Sequence, residues 1–234
     1  MVDRVALVVQ HNEREHLGSF ADVLESRGYV IHTVRADLDT AGLAGQDAAD
    51  ADLVVVLGGD QAVYEPEQHP HLADEVGFLA KRLENERATL GVCLGAQLIA
   101  EALGGRVSKG KSVVVGFSEV QVTDAGLDSP LRHLVGVSVM QWHGDSFRLP
   151  AGATRLASSA EYSNEAFRMG DYALAVQFHP ELTGAMFEEW IAAGQDYLAE
   201  HGVDGTQLLA DRDRLGAAMQ AAGQAMLAEW LDAL

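Results

Sequence analysis

Residues 89–105 read T-L-G-V-C-L-G-A-Q-L-I-A-E-A-L-G-G and contain the only cysteine of the chain, Cys93. The residues before Cys93 are mostly apolar, as in a buried strand, and those after it include Leu94, Leu98 and Ile99 at helical spacing. This pattern predicts that Cys93 lies where a strand turns sharply into a helix.

Glycines flank the cysteine on both sides, at Gly91 and Gly95. A tight strand-to-helix turn needs strained backbone angles and close packing that larger side chains would obstruct. The start of a helix also favours an anion, and therefore the thiolate form of Cys93. We predict that Cys93 is a nucleophile, because the alternative of a small buried apolar residue explains the flanking glycines less well.

Strand and helix patterns alternate around this turn. Apolar runs predict buried strands at 5–9, 29–34, 52–57 and 173–178. Helical patterns occupy 72–87 and 183–198, and short pieces between 113 and 169 predict antiparallel strands added to the sheet. The predicted fold is α/β, a three-layer, open, mostly parallel twisted sheet with helices on both faces.

The length of 234 residues predicts one domain, residues 1–234, with a core at about 5–198 and a helical extension at 204–234. The extension carries a stripe of Met and Leu residues, for which we expect core packing or a homodimer contact rather than a ligand site.

Charge and cysteine content exclude several functions. The formal net charge of −19 argues against nucleic acid or an anionic membrane as partner. A single cysteine excludes an internal disulfide framework and fits a reducing cytoplasm, and no signal peptide or membrane span is expected. No metal or cofactor is predicted, because His69 and His71 lack recognised ligand spacing.

A thiolate nucleophile needs a base and a group that orients the base. His179 and Glu181 fit, since residues two apart on an extended segment point the same way and Pro180 favours extended backbone. His143 is the alternative base. Gly144 follows it and makes its geometry loose, so we expect a loop role there.

Attack on an amide carbon creates an oxyanion, which two backbone N–H groups can stabilise. Leu94 supplies one at the start of the helix, and Gly59, in the Gly58–Gly59 pair after a buried strand, is the natural second. Taken alone, that glycine pair is better explained as an ordinary turn that ends a strand. Gln97 lies one helical turn beyond Cys93, where its amide can hold a polar part of the substrate; the alternative is a solvated helix residue.

Four motifs occur along the chain: G-V-C-L-G-A-Q at 91–97, L-G-G-D at 57–60, W-H-G-D at 142–145 and V-Q-F-H-P-E at 176–181. Together they resemble the class I glutamine amidotransferases, especially the glutaminase part of GMP synthase, over roughly residues 5–198. The resemblance implies a triad of Cys93, His179 and Glu181 that hydrolyses the glutamine side-chain amide through a γ-glutamyl thioester.

The same resemblance implies how substrate is held. The oxyanion hole comes from the backbones of Gly59 and Leu94, and the binding residues are Gly58, Gln97 and the backbone of His143, Gly144 and Asp145. Two positions depart from the family pattern, Ala96 and Glu165, and we expect both to change the rim of the pocket.

Three functions remain open from the sequence. The first is a glutaminase that passes ammonia to a synthetase partner; no phosphate-binding loop occurs, so we do not expect the chain to make GMP alone. The second is a γ-glutamyl peptidase or hydrolase with the same triad. The third is a non-catalytic binding module.

Overall fold

The computed structural model describes residues 4–234, with the exception of the Gln46 side chain. The first three residues, where the prediction about a signal peptide begins, lie outside this range. The strands are β1 Arg4–Gln10, β2 Tyr29–Arg35, β3 Leu53–Val56, β4 Thr89–Val92, β5 Arg106–Glu119, β6 Gln121–Val122, β7 Ser138–Arg148, β8 Thr154–Ser158, β9 Ala166–Met169 and β10 Ala173–Val176.

The helices are α1 Phe20–Ser26, α2 Ala41–Ala44, α3 Gln46–Asp50, α4 His71–Glu84, α5 Leu94–Ala102, α6 Asp124–Leu127, α7 Gly184–Ala193, α8 Gln195–Glu200 and α9 Gly205–Asp232. A 3-10 helix covers Pro130–Leu134. Within residues 4–234, none of the helices has the length and apolar character that crossing a bilayer requires.

The main sheet has the order β2-β1-β3-β4-β10-β9-β8-β6. The first five strands of this order are parallel, and β9, β8 and β6 continue the sheet in antiparallel pairing. The central strands β3, β4 and β10 are buried along their whole length, as their continuous apolar runs predict. The predicted open, mostly parallel sheet is confirmed.

The side chains of alternate strand residues pack in two apolar cores, one on each face of the sheet. Ala6 and Val8 of β1 pack in the core that includes residues of α1, α7 and α9, whereas Leu7 and Val9 pack in the core with residues of α4 and α5. Helices therefore cover both faces, which confirms the predicted three layers.

The last helix, α9, packs along one face of the sheet. The Met and Leu stripe of this helix is largely buried within the chain, with Met219 and Met226 at 1% and 0% exposure. Both residues belong to the same core as Ala6 and Val8. The stripe is therefore core packing, one of the two roles expected from the sequence.

Two expectations about the second half of the chain were wrong. The pieces at 113–115 and 137–142 do not join the main sheet, because β5 and β7 pair with each other as a separate antiparallel ribbon. The helix expected over 183–198 is broken at Gly194, where a side chain would crowd the indole of Trp142. Local patterns do not reveal a strand's partner, which explains the first error.

Candidate active site

Cys93 lies between β4 and α5, at the carboxyl end of the parallel strands. Its backbone has φ 51° and ψ −108°, a conformation that residues other than glycine rarely adopt. The amide of Cys93 donates to the carbonyl of Val176 at 2.9 Å, which ties the turn to the adjacent strand β10. The predicted sharp turn is therefore present, and strain of this kind clusters at functional sites.

The two flanking glycines leave no room for side chains. A Cβ atom on Gly95 would overlap the carbonyl of Val56, and one on Gly91 would lie 2.6 Å from the carbonyl oxygen of Gly95. Glycine at position 95 lets the turn pack against β3, and glycine at position 91 leaves room for the first turn of α5.

His179 and Glu181 follow β10 and face the cysteine. The Nδ1 atom of His179 lies 2.8 Å from Oε1 of Glu181, and both side chains are buried. His179 and Cys93 line the same cavity. Burial by itself lowers the pKa of His179, but the charges of Glu181 and Cys93 and the hydrogen bond to Glu181 raise this pKa well above its ordinary value.

Gln177, a residue that the sequence reasoning passed over, contacts the nucleophile directly. Its Nε2 donates to Sγ of Cys93 at 3.5 Å, and its Oε1 accepts from Nε2 of Gln97 at 3.1 Å. All three side chains are buried. The sequence did contain a signal for Gln177, because this glutamine lies at the end of an apolar strand. A side-chain amide buried there must hydrogen-bond to other polar groups.

A cavity of about 710 Å³ opens over Cys93. Most of the predicted site residues line it: Gly59, Cys93, Gln97, His143, Gly144, Asp145 and His179. Gly58, Leu94 and Glu181 are not among the residues that line it, and the carbonyl of Gly58 accepts a hydrogen bond from the ring of His11. We therefore do not expect Gly58 to touch a substrate.

The two predicted oxyanion donors sit side by side. A Cβ atom on Gly59 would lie 2.6 Å from Cδ2 of Leu94 and would also overlap Gln61, so the loop can approach α5 only with glycine there. Leu94 is the first residue of α5, and its N–H group has no carbonyl one turn earlier to bond within the helix.

His143 does not lie in a loop, contrary to expectation; it is a buried residue of strand β7. Its Nδ1 contacts the carbonyl oxygen of Asp145 and its Nε2 contacts Oε1 of Gln141, both at 3.0 Å. β7 pairs with β5 on both sides of Gly144, through His143 and Asp145, although β5 is irregular between Lys109 and Val114. Both ring nitrogens are therefore already engaged, which argues against His143 as the base.

The two departures from the family pattern do not form the rim of the pocket, so that expectation was wrong. Glu165 is 1% exposed, and its Oε2 lies 3.6 Å behind Nε2 of His143. Ala96 is fully buried in α5. Neither residue lines the cavity.

The cavity lining also contains aromatic side chains and charged side chains of both signs. Trp142 stacks with Tyr197 at 6.4 Å between ring centroids, and Tyr197 stacks with His201 at 4.4 Å. Tyr64 donates to Oδ1 of Asp145 at 2.9 Å. Burial raises the pKa of Asp145, and the bond from Tyr64 partly offsets this.

An acidic side chain, Glu15, also lines the cavity close to His179. Asn12 donates to its Oε1 at 3.0 Å. Burial raises the pKa of Glu15, whereas the charge of His179 lowers it. No sequence motif pointed to Glu15, because it lies in an irregular segment after β1.

Comparisons with known proteins find a family model and several relatives similar to this chain. A family model described as glutamine amidotransferase class-I matches residues 9–193. The glutamine amidotransferase-like protein YfeJ of Salmonella typhimurium is 34% identical over 203 residues, which cover 84% of this chain and 83% of that protein. A glutamine-hydrolyzing GMP synthase subunit of Haloarcula marismortui is 31% identical over 69% of this chain and 85% of its own length.

A solved structure is also similar over nearly the whole chain. A glutamine amidotransferase from Thermotoga maritima superposes with a TM-score of 0.85 and 28% sequence identity, covering 99% of this chain and 100% of that one. The described fold therefore has a counterpart in a solved structure that includes the region of α9.

Proposed function

This chain belongs to the class I glutamine amidotransferase family, and we propose that it hydrolyses the side-chain amide of glutamine, with Cys93, His179 and Glu181 as its catalytic residues. The observation that carries the proposal is a histidine, bonded to Glu181 at 2.8 Å, that lines the same cavity as a cysteine held in a strained turn. Nucleophile, base and orienting carboxylate are the parts that covalent amide hydrolysis requires.

In the first half of the reaction, Sγ of Cys93 attacks the amide carbon and His179 holds the thiol proton. His179 then gives this proton to the leaving nitrogen, ammonia departs, and a γ-glutamyl thioester remains. In the second half, His179 takes a proton from water and the hydroxide oxygen adds to the thioester carbon. The C–S bond then breaks, glutamate is released, and the sulfur of Cys93 and the proton on His179 restore the starting pair. Glu181 keeps the ring of His179 oriented throughout.

The oxyanion of each tetrahedral intermediate is stabilised by the N–H groups of Gly59 and Leu94. One such donor contributes about 10²–10³ in kcat in comparable enzymes. Gln97 and the backbone of His143 to Asp145 hold the polar groups of glutamine, and their place in the cavity lining supports this role.

The test is release of ammonia and glutamate from glutamine by the purified chain, with Cys93→Ala as the matched variant. We expect turnover that disappears in the variant. Robust turnover by Cys93→Ala would contradict the assignment. A mass increase on Cys93 after rapid quenching, equal to a γ-glutamyl group, would add direct support for the thioester.

Hydrolysis of larger γ-glutamyl compounds is the second candidate. It is supported by the size of the cavity, about 710 Å³, since pockets of roughly 300–1,000 Å³ hold drug-sized ligands and glutamine is much smaller. The aromatic wall of Trp142, Tyr197 and His201 gives a larger leaving group something to pack against. Assaying γ-glutamyl peptides beside glutamine separates the two, because a peptidase would prefer the peptides.

We also propose that the ammonia released passes to a separate synthetase in the cytoplasm. Relatives whose names describe one subunit of a glutamine-hydrolyzing GMP synthase support a partner of this kind. Stimulation of glutamine turnover by a co-purified synthetase would test it.

A further inference from the structure

Another buried histidine–carboxylate pair, His11 and Glu75, lies next to the predicted oxyanion loop. His11 follows β1 and Glu75 belongs to α4, and each is 1% exposed. The Nε2 atom of His11 lies 2.9 Å from Oε2 of Glu75, and its Nδ1 lies 2.8 Å from the carbonyl oxygen of Gly58. The mechanism above uses neither residue.

The two contacts define where the protons are. A carbonyl oxygen can only accept, so Nδ1 of His11 must carry a hydrogen and donate it to Gly58. Glu75 engages the opposite nitrogen, which fixes the plane of the ring and keeps Nδ1 pointed at the loop. Burial opposes a charged ring, but the bond to Glu75 and its charge raise the pKa of His11 above the ordinary value.

Anchoring the Gly58 carbonyl also sets the direction of the next N–H group. In a planar trans peptide the C=O and the following N–H point to opposite sides. Since the carbonyl of Gly58 points at His11, the N–H of Gly59 points away from His11. Gly59 itself lines the cavity that contains Cys93. His11 also packs against this peptide, since a Cβ on Gly59 would lie 3.0 Å from its Cβ.

We propose that His11, held by Glu75, is a positioning residue that keeps the Gly58–Gly59 peptide in the orientation required for the oxyanion hole. Without this anchor the peptide can rotate, and its carbonyl rather than its N–H can face the developing negative charge. The inference rests on the proposed amide hydrolysis, because the orientation matters only for a reaction that forms an oxyanion.

The experiment compares His11→Leu, which removes the donor, with His11→Asn, whose amide N–H can reach the same carbonyl. His133→Leu is the matched control, because it removes a histidine bonded to Glu229 at 2.8 Å and remote from the cavity lining. Two quantities are measured: kcat and KM for glutamine, and the rate at which iodoacetamide alkylates Cys93. Alkylation at a saturated carbon forms no oxyanion.

We expect His11→Leu to lower kcat about 100-fold, the effect of losing one oxyanion donor, with KM within about threefold and alkylation within about twofold of the unsubstituted chain. His11→Asn should recover about tenfold of the lost kcat, and His133→Leu should be unchanged. If His11→Leu does not fold, the same quantities are measured for Glu75→Leu. We expect this variant to lower kcat about tenfold and to leave KM and the alkylation rate of Cys93 unchanged.

Normal kcat in a folded His11→Leu protein overturns the positioning role and leaves the proposed function intact. A parallel loss of kcat and alkylation also overturns it, since the thiolate rather than the oxyanion hole would then be disturbed. Absence of Cys93-dependent turnover in the unsubstituted chain instead overturns the proposed function, so the two failures are distinct.

Discussion

Replacing Glu181 by Gln tests the proposed triad with the smallest change of shape. The side chains of His179 and Glu181 are 2% and 3% exposed, and their contact is 2.8 Å. The Gln carbonyl can still accept from Nδ1 of His179, but the negative charge is lost. Oε2 of Glu181 has no hydrogen-bond partner among the described residues. The amide N–H₂ placed there would be unsatisfied, at a cost of about 1–3 kcal/mol in stability.

The effect on catalysis should exceed the effect on stability. Removing the orienting carboxylate of a comparable serine triad lowers kcat about 10⁴-fold. Because Gln keeps an acceptor for Nδ1, we expect a fall of about 10²–10⁴, which corresponds to roughly 3–5 kcal/mol of lost transition-state stabilisation. The charge of Glu181 raises the pKa of His179. Its removal lowers that pKa and moves the alkaline limb of kcat/KM to lower pH.

The assay is glutamine hydrolysis between pH 6 and about 9.5, with urea unfolding to establish that each variant is folded. Glu188→Gln is the matched control, because Glu188 is exposed on α7 and contacts Arg212 at 3.0 Å. A folded Glu181→Gln protein with kcat within fivefold of the unsubstituted chain would refute the role given to Glu181. An alkaline limb that stays in place would refute the electrostatic part of the argument.

Three further predictions concern residues around the site and in the core. Gln177→Leu should slow alkylation of Cys93 by iodoacetamide several-fold, because Gln177 donates to Sγ at 3.5 Å; an unchanged rate would contradict this. The raised pKa of His11 contributes stability below about pH 6.5 that is lost as pH rises through the folded pKa. The free energy of unfolding of the unsubstituted chain in urea should therefore exceed that of Glu75→Gln by less at about pH 9 than at pH 6. A difference that does not change with pH would contradict this contribution of His11. Met226→Ala removes a fully buried side chain of α9 and should lower the free energy of unfolding by about 2–5 kcal/mol. Because we propose a single domain, the variant should still unfold in one cooperative transition. A separate early transition of α9 would contradict the single domain.

Some features could be derived from local pattern. The strand before Cys93, the helix after it and the glycines between them predicted the turn, because a sharp strand-to-helix junction limits which residues can stand there. Continuous apolar runs predicted β3 and β10 within two residues of their observed ends, since strands buried on both faces carry no polar alternation. The roles given to Cys93, His179 and Glu181 stay predictions that the experiments above address.

Other features required the assembled chain. Glu75 occupies the buried face of α4 in step with Leu72 and Leu79, but its partner His11 is 64 residues away. Gln97 and Gln177, 80 residues apart, meet only because α5 and β10 pack side by side. By itself, the sequence determined the buried parallel strands and the sharp turn at Cys93, because apolar runs and glycine placement report local backbone and burial. Only the tertiary structure decided which buried polar groups face one another, because each must find a partner somewhere in the packed interior and topology brings those partners together.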